Sequence, residues 1–249
     1  QHSKTVVLFG GAAVKNAQVN AGGIGNHSAR QQLMKLREAG VKVVNISPIR
    51  NDVVEEVGAQ WLACRPGSDT AIMLGMAHTL VAENLHDTAF LDKYTVGFDK
   101  FLPYLMGESD GQPKDAEWAG SLSEISAETI RELARDLARD RSLVGISWSL
   151  QRQESGEQTW WMITALGAML GHIGLPGGGI GYGYGCIHNM GFGGRKIPNY
   201  RMGAFGLEIG ERSAPKNEFI PVARHADMLN NPGASYEYNG QHLTYPDIK

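Results

Sequence analysis

Short apolar runs alternate with amphipathic stretches along the first 172 positions of the chain. Runs without polar alternation are typical of strands that are covered on both faces. They occupy residues 5–10, 41–46, 61–64 and 142–148. Helical spacing of apolar positions is found in residues 27–39, 70–84, 87–95, 127–139 and 157–172. Because strands and helices alternate, the pattern predicts a doubly wound α/β domain with a mostly parallel sheet.

Local signals mark the ends of several of these elements. Gly40 is expected to stop the first helix. Asp69 and Ser126 stand where side chains can N-cap the helices that follow them. The polar stretch 107–122, with its Gly and Pro, predicts a surface loop.

The last quarter of the chain has a different character. The sequence holds 32 glycines, and many of them crowd into residues 171–210. Residues 185–249 lack a strong periodicity and carry many turn-forming residues. We therefore predict a Rossmann-like domain over residues 1–184, followed by an irregular, glycine-rich extension over residues 185–249.

Composition and charge narrow the class of protein. The 249 residues are 42% hydrophobic and 20% charged, with a net charge of −3, which is typical of a globular protein and gives no sign of a nucleic-acid partner. No apolar run is long enough for a membrane helix.

The start without methionine fits a processed protein or an excised piece of one. Cys64 and Cys186 are expected to be free thiols, and their spacing encodes no zinc or iron–sulfur site.

Ligands of open α/β sheets bind outside the carboxyl ends of the strands. Here those ends are residues 10–16, 46–50, 65–69 and 148–152, which are polar and include lysine and arginine side chains. This composition suits an anionic ligand, with phosphate as the first candidate.

Individual residues at these ends are open to two interpretations. Lys15 fits a phosphate contact or a solvated surface lysine. Asp69 fits a helix cap or a carboxylate that accepts hydrogen bonds from a guanine edge. Arg152 fits a phosphate contact or an ion pair with Glu157.

Known catalytic patterns are absent from the sequence. The first loop is neither GxGxxG nor a Walker motif, no HExxH or GxSxG occurs, and no carboxylate pair stands out for acid–base chemistry. On their own, the residues support a nucleotide-binding module, with no catalytic residue and no metal ligand assigned.

A long run of sequence motifs begins at the end of the fourth predicted strand. They are Trp148-Ser149-Leu150-Gln151-Arg152, Gly156-Glu157-Gln158, Trp161-Met162 and Ala168 to Gly179. In order and spacing these residues resemble the WSxQR…GEQ…WM…AxMLGQIGxPGGG signature of the dimethyl sulfoxide/trimethylamine N-oxide reductase family of molybdopterin oxidoreductases.

The resemblance implies a parent enzyme that reduces S-oxides or N-oxides by oxygen-atom transfer at molybdenum. Candidate substrates are dimethyl sulfoxide, trimethylamine N-oxide, and biotin or methionine sulfoxide. The metal would be held by two molybdopterin guanine dinucleotides (bis-MGD), one of them on this Rossmann-like domain. Expected partners are the remaining domains of the reductase and a c-type cytochrome that donates electrons. Family members are mostly periplasmic, with cytoplasmic exceptions, so the resemblance implies a periplasmic location.

The resemblance also assigns roles to individual residues. Lys15 would meet a phosphate, whereas Ser47, Pro48 and Asp69 would meet the nucleoside. The loop residues that would line the pterin or the pyrophosphate are Trp148, Ser149, Gln151 and Arg152. Gly177 and Gly178 would allow a close approach of the backbone to the ligand.

Two positions depart from the family pattern, and one function is missing. Ser47 replaces the aspartate of the usual Ile-Asp-Pro, which removes a charge-assisted contact, and Ser155 stands where histidine is common. The serine that ligates molybdenum in this subgroup belongs to an earlier segment, so we expect this chain to be an internal segment that is inactive alone.

An alternative is a nucleotide-binding-only module that has lost the cofactor. An unrelated dehydrogenase is a third hypothesis, against which the missing GxGxxG counts.

Overall fold

A five-stranded, wholly parallel sheet forms the centre of the computed structural model, which describes residues 2–17, 29–182, 220, 224–238 and 240–247. The strands are β1 Thr5–Phe9, β2 Lys42–Ile46, β3 Gln60–Leu62, β4 Ser142–Ile146 and β5 Gly179–Tyr182. Their spatial order is β3-β2-β1-β4-β5. The predicted doubly wound α/β fold is therefore confirmed.

The strand order reverses between β1 and β4. Thr5 pairs with Lys42 of β2 on one side and with Ser142 of β4 on the other, all in parallel register. Such a reversal opens a crevice at the carboxyl ends of the two strands, because the chain leaves them in opposite directions. In folds of this kind, ligands bind at the loops that follow two such strands, here β1 and β4.

Seven helices belong to the described part of this domain. They are α1 Ala29–Glu38, α2 Asp69–Ala82, α3 Thr88–Tyr94, α4 Phe98–Leu105, α5 Ala116–Ser123, α6 Ala127–Arg139 and α7 Gly156–Met169. Ser126 caps α6 as predicted, since its side chain accepts a hydrogen bond from the backbone N–H of Thr129.

Both faces of the sheet are buried, but against different helices. Val7 and Phe9 of β1 belong to the larger core cluster, with side chains of α2, α5, α6 and α7. Val6 and Leu8 belong to a smaller cluster that includes Leu33 of α1. Since successive strand residues point to opposite faces, an uninterrupted apolar run is what a sheet covered on both sides requires.

The prediction for one loop was wrong, and neither helix α4 nor strand β5 was predicted from the sequence. Part of the expected loop 107–122 is helix α5, because Asp115 accepts a hydrogen bond from the N–H of Trp118 and Ala119 is fully buried. Strand β5 was not predicted at all. Its sequence, GIGY, has little strand character, but a strand is held by backbone hydrogen bonds, and β4 supplies the matching edge.

The chain divides into two compact units, Gln1–Arg195 and Lys196–Lys249. The described part of the second unit contains helix α8 His225–Asn230 and an antiparallel hairpin of β6 Ser235–Tyr238 and β7 Gln241–Thr244. Its small core includes Tyr236 and Tyr245, whose rings stack at 4.2 Å. These elements correct the expectation of wholly irregular chain. The boundary predicted at 184/185, like Cys186, lies outside the described residues.

No helix in the described ranges is both long and apolar enough to cross a membrane.

Candidate functional site

The loops after β1 and β4 touch each other across the switch point. The N–H of Ser147 donates to the carbonyl of Phe9 at 2.8 Å, and the N–H of Gly10 donates to the carbonyl of Ile46 at 2.9 Å. A Cβ on Gly10 would lie 2.8 Å from the Cβ of Ser147. The carboxyl edge is therefore a tied set of loops, and its geometry depends on glycine at position 10.

The loop after β1 is also clamped to the loop after β2. The N–H of Ala12 donates to the carbonyl of Asp52 at 2.8 Å. Gly11 has φ +70°, and a Cβ there would come within 2.5 Å of the Asp52 Cβ, so only glycine fits. Lys15 lies on the same loop and points into solvent, with 70% of its side chain exposed. Its Nζ lies 3.9 Å from the Asp52 Oδ1.

Ser47 is a structural residue of the loop after β2. It is 1% exposed. Its hydroxyl donates to the Oδ2 of Asp52 at 2.7 Å and accepts from the N–H of Ile49 at 3.2 Å. Its carbonyl accepts from the Nε1 of Trp61 at 2.8 Å. Pro48 follows at the surface. The Ser47 hydroxyl is thus engaged within the loop.

Asp69 is the first residue of α2 and not its cap. Ser68 occupies the N-cap position, and neither it nor Asp69 makes a side-chain capping bond. Asp69 is 3% exposed, and burial raises the pKa of its carboxyl to about 6. Burial and the nearby charge of Asp69 raise the pKa of the Cys64 thiol to about 12. The geometry leaves Asp69 as a buried carboxyl at the β3–α2 junction, suited to hydrogen bonding with a polar ligand.

The loop after β4 presents the predicted signature residues. Trp148 to Gln151 form a single 3-10 turn, and Trp148, Ser149, Gln151 and Arg152 are exposed. Within the described ranges Arg152 makes no ion pair, and the alternative pairing with Glu157 is not formed. Gly156 packs under the turn, where a Cβ would lie 2.4 Å from the Gln151 carbonyl oxygen.

A cation follows each of the first four strands of the sheet. Lys15 follows β1, Arg50 follows β2, Arg65 follows β3 and Arg152 follows β4. All four are exposed. The guanidinium of Arg50 lies 3.7 Å from the Glu55 carboxylate, both being well exposed, so that pair contributes little. The edge thus offers positive charge to an anionic ligand.

Gly177 and Gly178 are not part of this edge. They precede β5 at the amino end of the sheet, where a Cβ on Gly177 would lie 2.7 Å from the Ser3 nitrogen. A Cβ on Gly178 would lie 2.8 Å from the His172 carbonyl oxygen. A five-residue strand separates the two edges by about 13–17 Å. Packing accounts for both glycines, and their assignment to the ligand stays a prediction.

The sequence pattern did not single out Asp52, which contacts Ser47 and the β1 loop and lies near Lys15. It lies two residues beyond the polar strand-end segment 46–50, and nothing in the pattern distinguished it from neighbouring Glu55 and Glu56. Only the hydrogen bond from Ser47 reveals that it faces the crevice loops.

The donor set of the edge fits a nucleotide better than a metal ion. Exposed cations match phosphate oxygens, and carboxyl groups match hydroxyl and amine hydrogens. Among the described residues, no group of three or more His, Cys, Asp or Glu side chains is arranged to hold a metal. The edge can therefore bind the phosphate and nucleoside parts of a ligand.

Three proteins of similar sequence are reductases. The chain is 46% identical over 249 residues to a biotin sulfoxide reductase of Cereibacter sphaeroides, covering 100% of this chain and 32% of that protein. It is 44% identical over 255 residues to a dimethyl sulfoxide/trimethylamine N-oxide reductase of Rhodobacter capsulatus, covering 100% and 30%. It is 42% identical over 261 residues to trimethylamine-N-oxide reductase 1 of Escherichia coli strain K12, again covering 100% and 30%. These relatives are S-oxide and N-oxide reductases, and the chain matches a segment of about a third of each.

A solved structure shares the fold. Acetylene hydratase from Pelobacter acetylenicus superposes with a TM-score of 0.55 at 25% identity, covering 71% of this chain and 22% of that one. The family model for molybdopterin oxidoreductases matches residues 1–235. Because that match covers nearly the whole sequence, the chain belongs to the molybdopterin oxidoreductase family, which implies a molybdenum–molybdopterin cofactor.

Proposed function

We propose that this chain is the segment of a molybdenum S-oxide/N-oxide reductase that binds the nucleotide portion of one molybdopterin guanine dinucleotide. The observation that carries the proposal is the carboxyl edge of the sheet, where an exposed cation follows each of β1 to β4 on both sides of the switch point. The relatives named above support the choice of parent enzyme.

The roles of the residues follow from their exposure and charge. Lys15 and Arg152 are placed to bind the pyrophosphate, since both are exposed cations on the two loops that border the crevice. Asp69 is placed to bind the base, because a buried carboxyl discriminates strongly between hydrogen-bonding partners. When bound, the cofactor supplies the metal at which an oxygen atom is transferred. The chain itself holds and orients the nucleotide end.

The wider assignments belong to the same proposal. We place the parent enzyme in the periplasm, with bis-MGD as the cofactor form and a c-type cytochrome as the electron donor. The substrate is proposed to be dimethyl sulfoxide, trimethylamine N-oxide, or biotin or methionine sulfoxide. Support for these points is the resemblance of the Trp148–Gly179 signature.

Calorimetry with guanosine diphosphate tests the nucleotide site directly. We expect the purified chain to bind guanosine diphosphate and to bind guanosine more weakly, because guanosine lacks the phosphates that Lys15 and Arg152 would meet. Equal binding of the two ligands, or binding of neither, would contradict the proposal.

A second candidate is a nucleotide-binding-only module that no longer takes up the cofactor. The observation that favours it is Ser47, whose hydroxyl is engaged inside the loop and leaves no charge at that position for a ligand. Metal and pterin analysis after expression with molybdate separates the two. Guanosine diphosphate binding without any molybdenum or pterin in the parent enzyme would favour the second candidate.

A further inference from the structure

We infer that Asp52 is the ribose-recognising residue of this nucleotide site and that Ser47 positions it. The inference rests on the proposed function, because it names one contact of the same ligand. It begins from the finding that position 47, although not acidic, delivers an acidic group to the end of β2 by hydrogen bonding to residue 52.

Asp52 is held by one hydrogen bond to its carboxylate and two to its backbone. Its Oδ2 accepts the Ser47 hydroxyl at 2.7 Å. Its backbone carbonyl accepts the N–H of Ala12 at 2.8 Å, and its backbone N–H donates to the carbonyl of Ile49 at 3.3 Å. The side chain is still 15% exposed. A carboxylate fixed in this way loses little further freedom when it binds a ligand.

The second carboxylate oxygen remains available. Within the described residues Oδ1 accepts no hydrogen bond, and the nearest cation, the Nζ of Lys15, lies 3.9 Å away. Charge-assisted hydrogen bonds from an ammonium group are about 2.7–2.9 Å long, so this pair is not closed. A ligand hydroxyl can therefore donate to Oδ1 while Lys15 turns to a phosphate.

The order of groups along the edge matches a nucleoside diphosphate. Arg152 and Lys15 follow β4 and β1, Asp52 follows β2, and Asp69 follows β3. Neighbouring strands are about 4.8 Å apart. Along the edge, two cations are followed by a carboxylate and then by a second carboxyl group. This order matches the pyrophosphate, the ribose and the base of the ligand. In dinucleotide-binding Rossmann domains an acidic residue beyond the phosphate loop binds the ribose 2′-hydroxyl in the same manner.

Guanosine diphosphate and its 2′,3′-dideoxy analogue separate this contact from the rest of the site. We expect the unmodified chain to bind guanosine diphosphate about tenfold or more tightly than the dideoxy analogue, the ratio typical of a hydrogen bond to a charged group. Equal affinity for the two nucleotides would overturn the inference while leaving the proposed function standing. Failure to bind either nucleotide would overturn both.

Variants test whether Asp52 and Ser47 cause the preference for guanosine diphosphate over the dideoxy analogue. Asp52→Asn should bind both nucleotides with the affinity that the unmodified chain shows for the dideoxy analogue. Ser47→Ala should fall in between, because the carboxylate remains but is no longer held. Glu55→Gln removes the same charge from the same loop, at a side chain that is 89% exposed, and should keep the full preference. Thermal unfolding confirms that each variant is folded. A folded Asp52→Asn chain that still prefers guanosine diphosphate by tenfold would overturn the inference.

Discussion

The hydroxyl of Thr70 lies 3.0 Å from the hydroxyl of Thr159, which joins the first turns of α2 and α7. Thr159 is 1% exposed, whereas Thr70 is half-buried. The bond holds together the two helices that begin behind the carboxyl edge of the sheet. It therefore contributes to the packing of α2 against α7.

Replacing Thr159 by Val should destabilise the chain by about 1–3 kcal/mol, because the partner hydroxyl loses its bond in a partly buried place. Urea denaturation measures the change. Thr164→Val on the same helix is the matched control, since its exposed hydroxyl bonds, among the described residues, only to the Trp160 carbonyl of its own helix. The double replacement of Thr70 and Thr159 by Val should cost less than the sum of the single ones. Strict additivity would show that the two hydroxyls do not interact.

The buried carboxyl of Asp69 makes stability depend on pH in an unusual direction. Burial raises its pKa to about 6 from the ordinary value of 3.8. Between these values the folded state holds a proton that the unfolded chain has released. The free energy of unfolding should therefore fall by about 3 kcal/mol in all as the pH rises from about 3 to about 7, most steeply between about 4 and about 6.

Denaturation at a series of pH values tests this dependence. Asp69→Asn should lose the fall between pH 4 and pH 6, since an amide does not titrate there. Asp92→Asn, at an exposed position of α3, should keep it. An unchanged pH profile in the Asp69 variant would show that another group is responsible.

Arg152 should act through charge alone. Because its guanidinium is exposed, Arg152→Ala should leave thermal stability unchanged and weaken guanosine diphosphate binding about tenfold or more at low salt. The difference should shrink as ionic strength rises. Lys35→Ala, on the exposed side of α1, should alter neither property. A salt-independent loss would indicate a steric effect in place of an electrostatic one.

Gly177 and Gly174 form a natural pair for testing the amino edge. Both have positive φ, but a Cβ on Gly174 would meet nothing within 4 Å, whereas one on Gly177 would meet Ser3 and His2. Gly174→Ala should cost about 1–2 kcal/mol of backbone strain. Gly177→Ala should cost more, because the chain near Ser3 must also move.

Binding data on the same two variants test the ligand role predicted for Gly177. The glycine lies at the edge opposite the crevice, so a folded Gly177→Ala chain should bind guanosine diphosphate normally. Loss of binding in that folded variant, with Gly174→Ala unaffected, would support the original ligand assignment.

Local patterns were sufficient for most of the architecture. The uninterrupted apolar runs predicted β1 and β4 because both faces of the sheet are covered, and the spacing of α6 predicted its buried face. Strand β5 was not predicted because its hydrogen-bonding partner, β4, is distant in sequence. Its glycines also have no side chain whose hydrophobicity could indicate burial. Helix α5 was not predicted because its one local signal is a capping carboxylate, Asp115, within a polar stretch.

By itself, the sequence determined the doubly wound fold class, the strand ends that could meet a ligand, and the signature from Trp148 to Gly179. These properties depend on residues that are close together in the sequence, and they can be recognised from the periodicity and order of those residues. Only the tertiary structure decided which of those residues share an edge: it brought Asp52 to Ser47 and Lys15, buried Asp69, and sent Gly177 to the opposite end of the sheet. The physical reason is that a strand's direction and its neighbours are fixed by long-range backbone pairing, which no local pattern records.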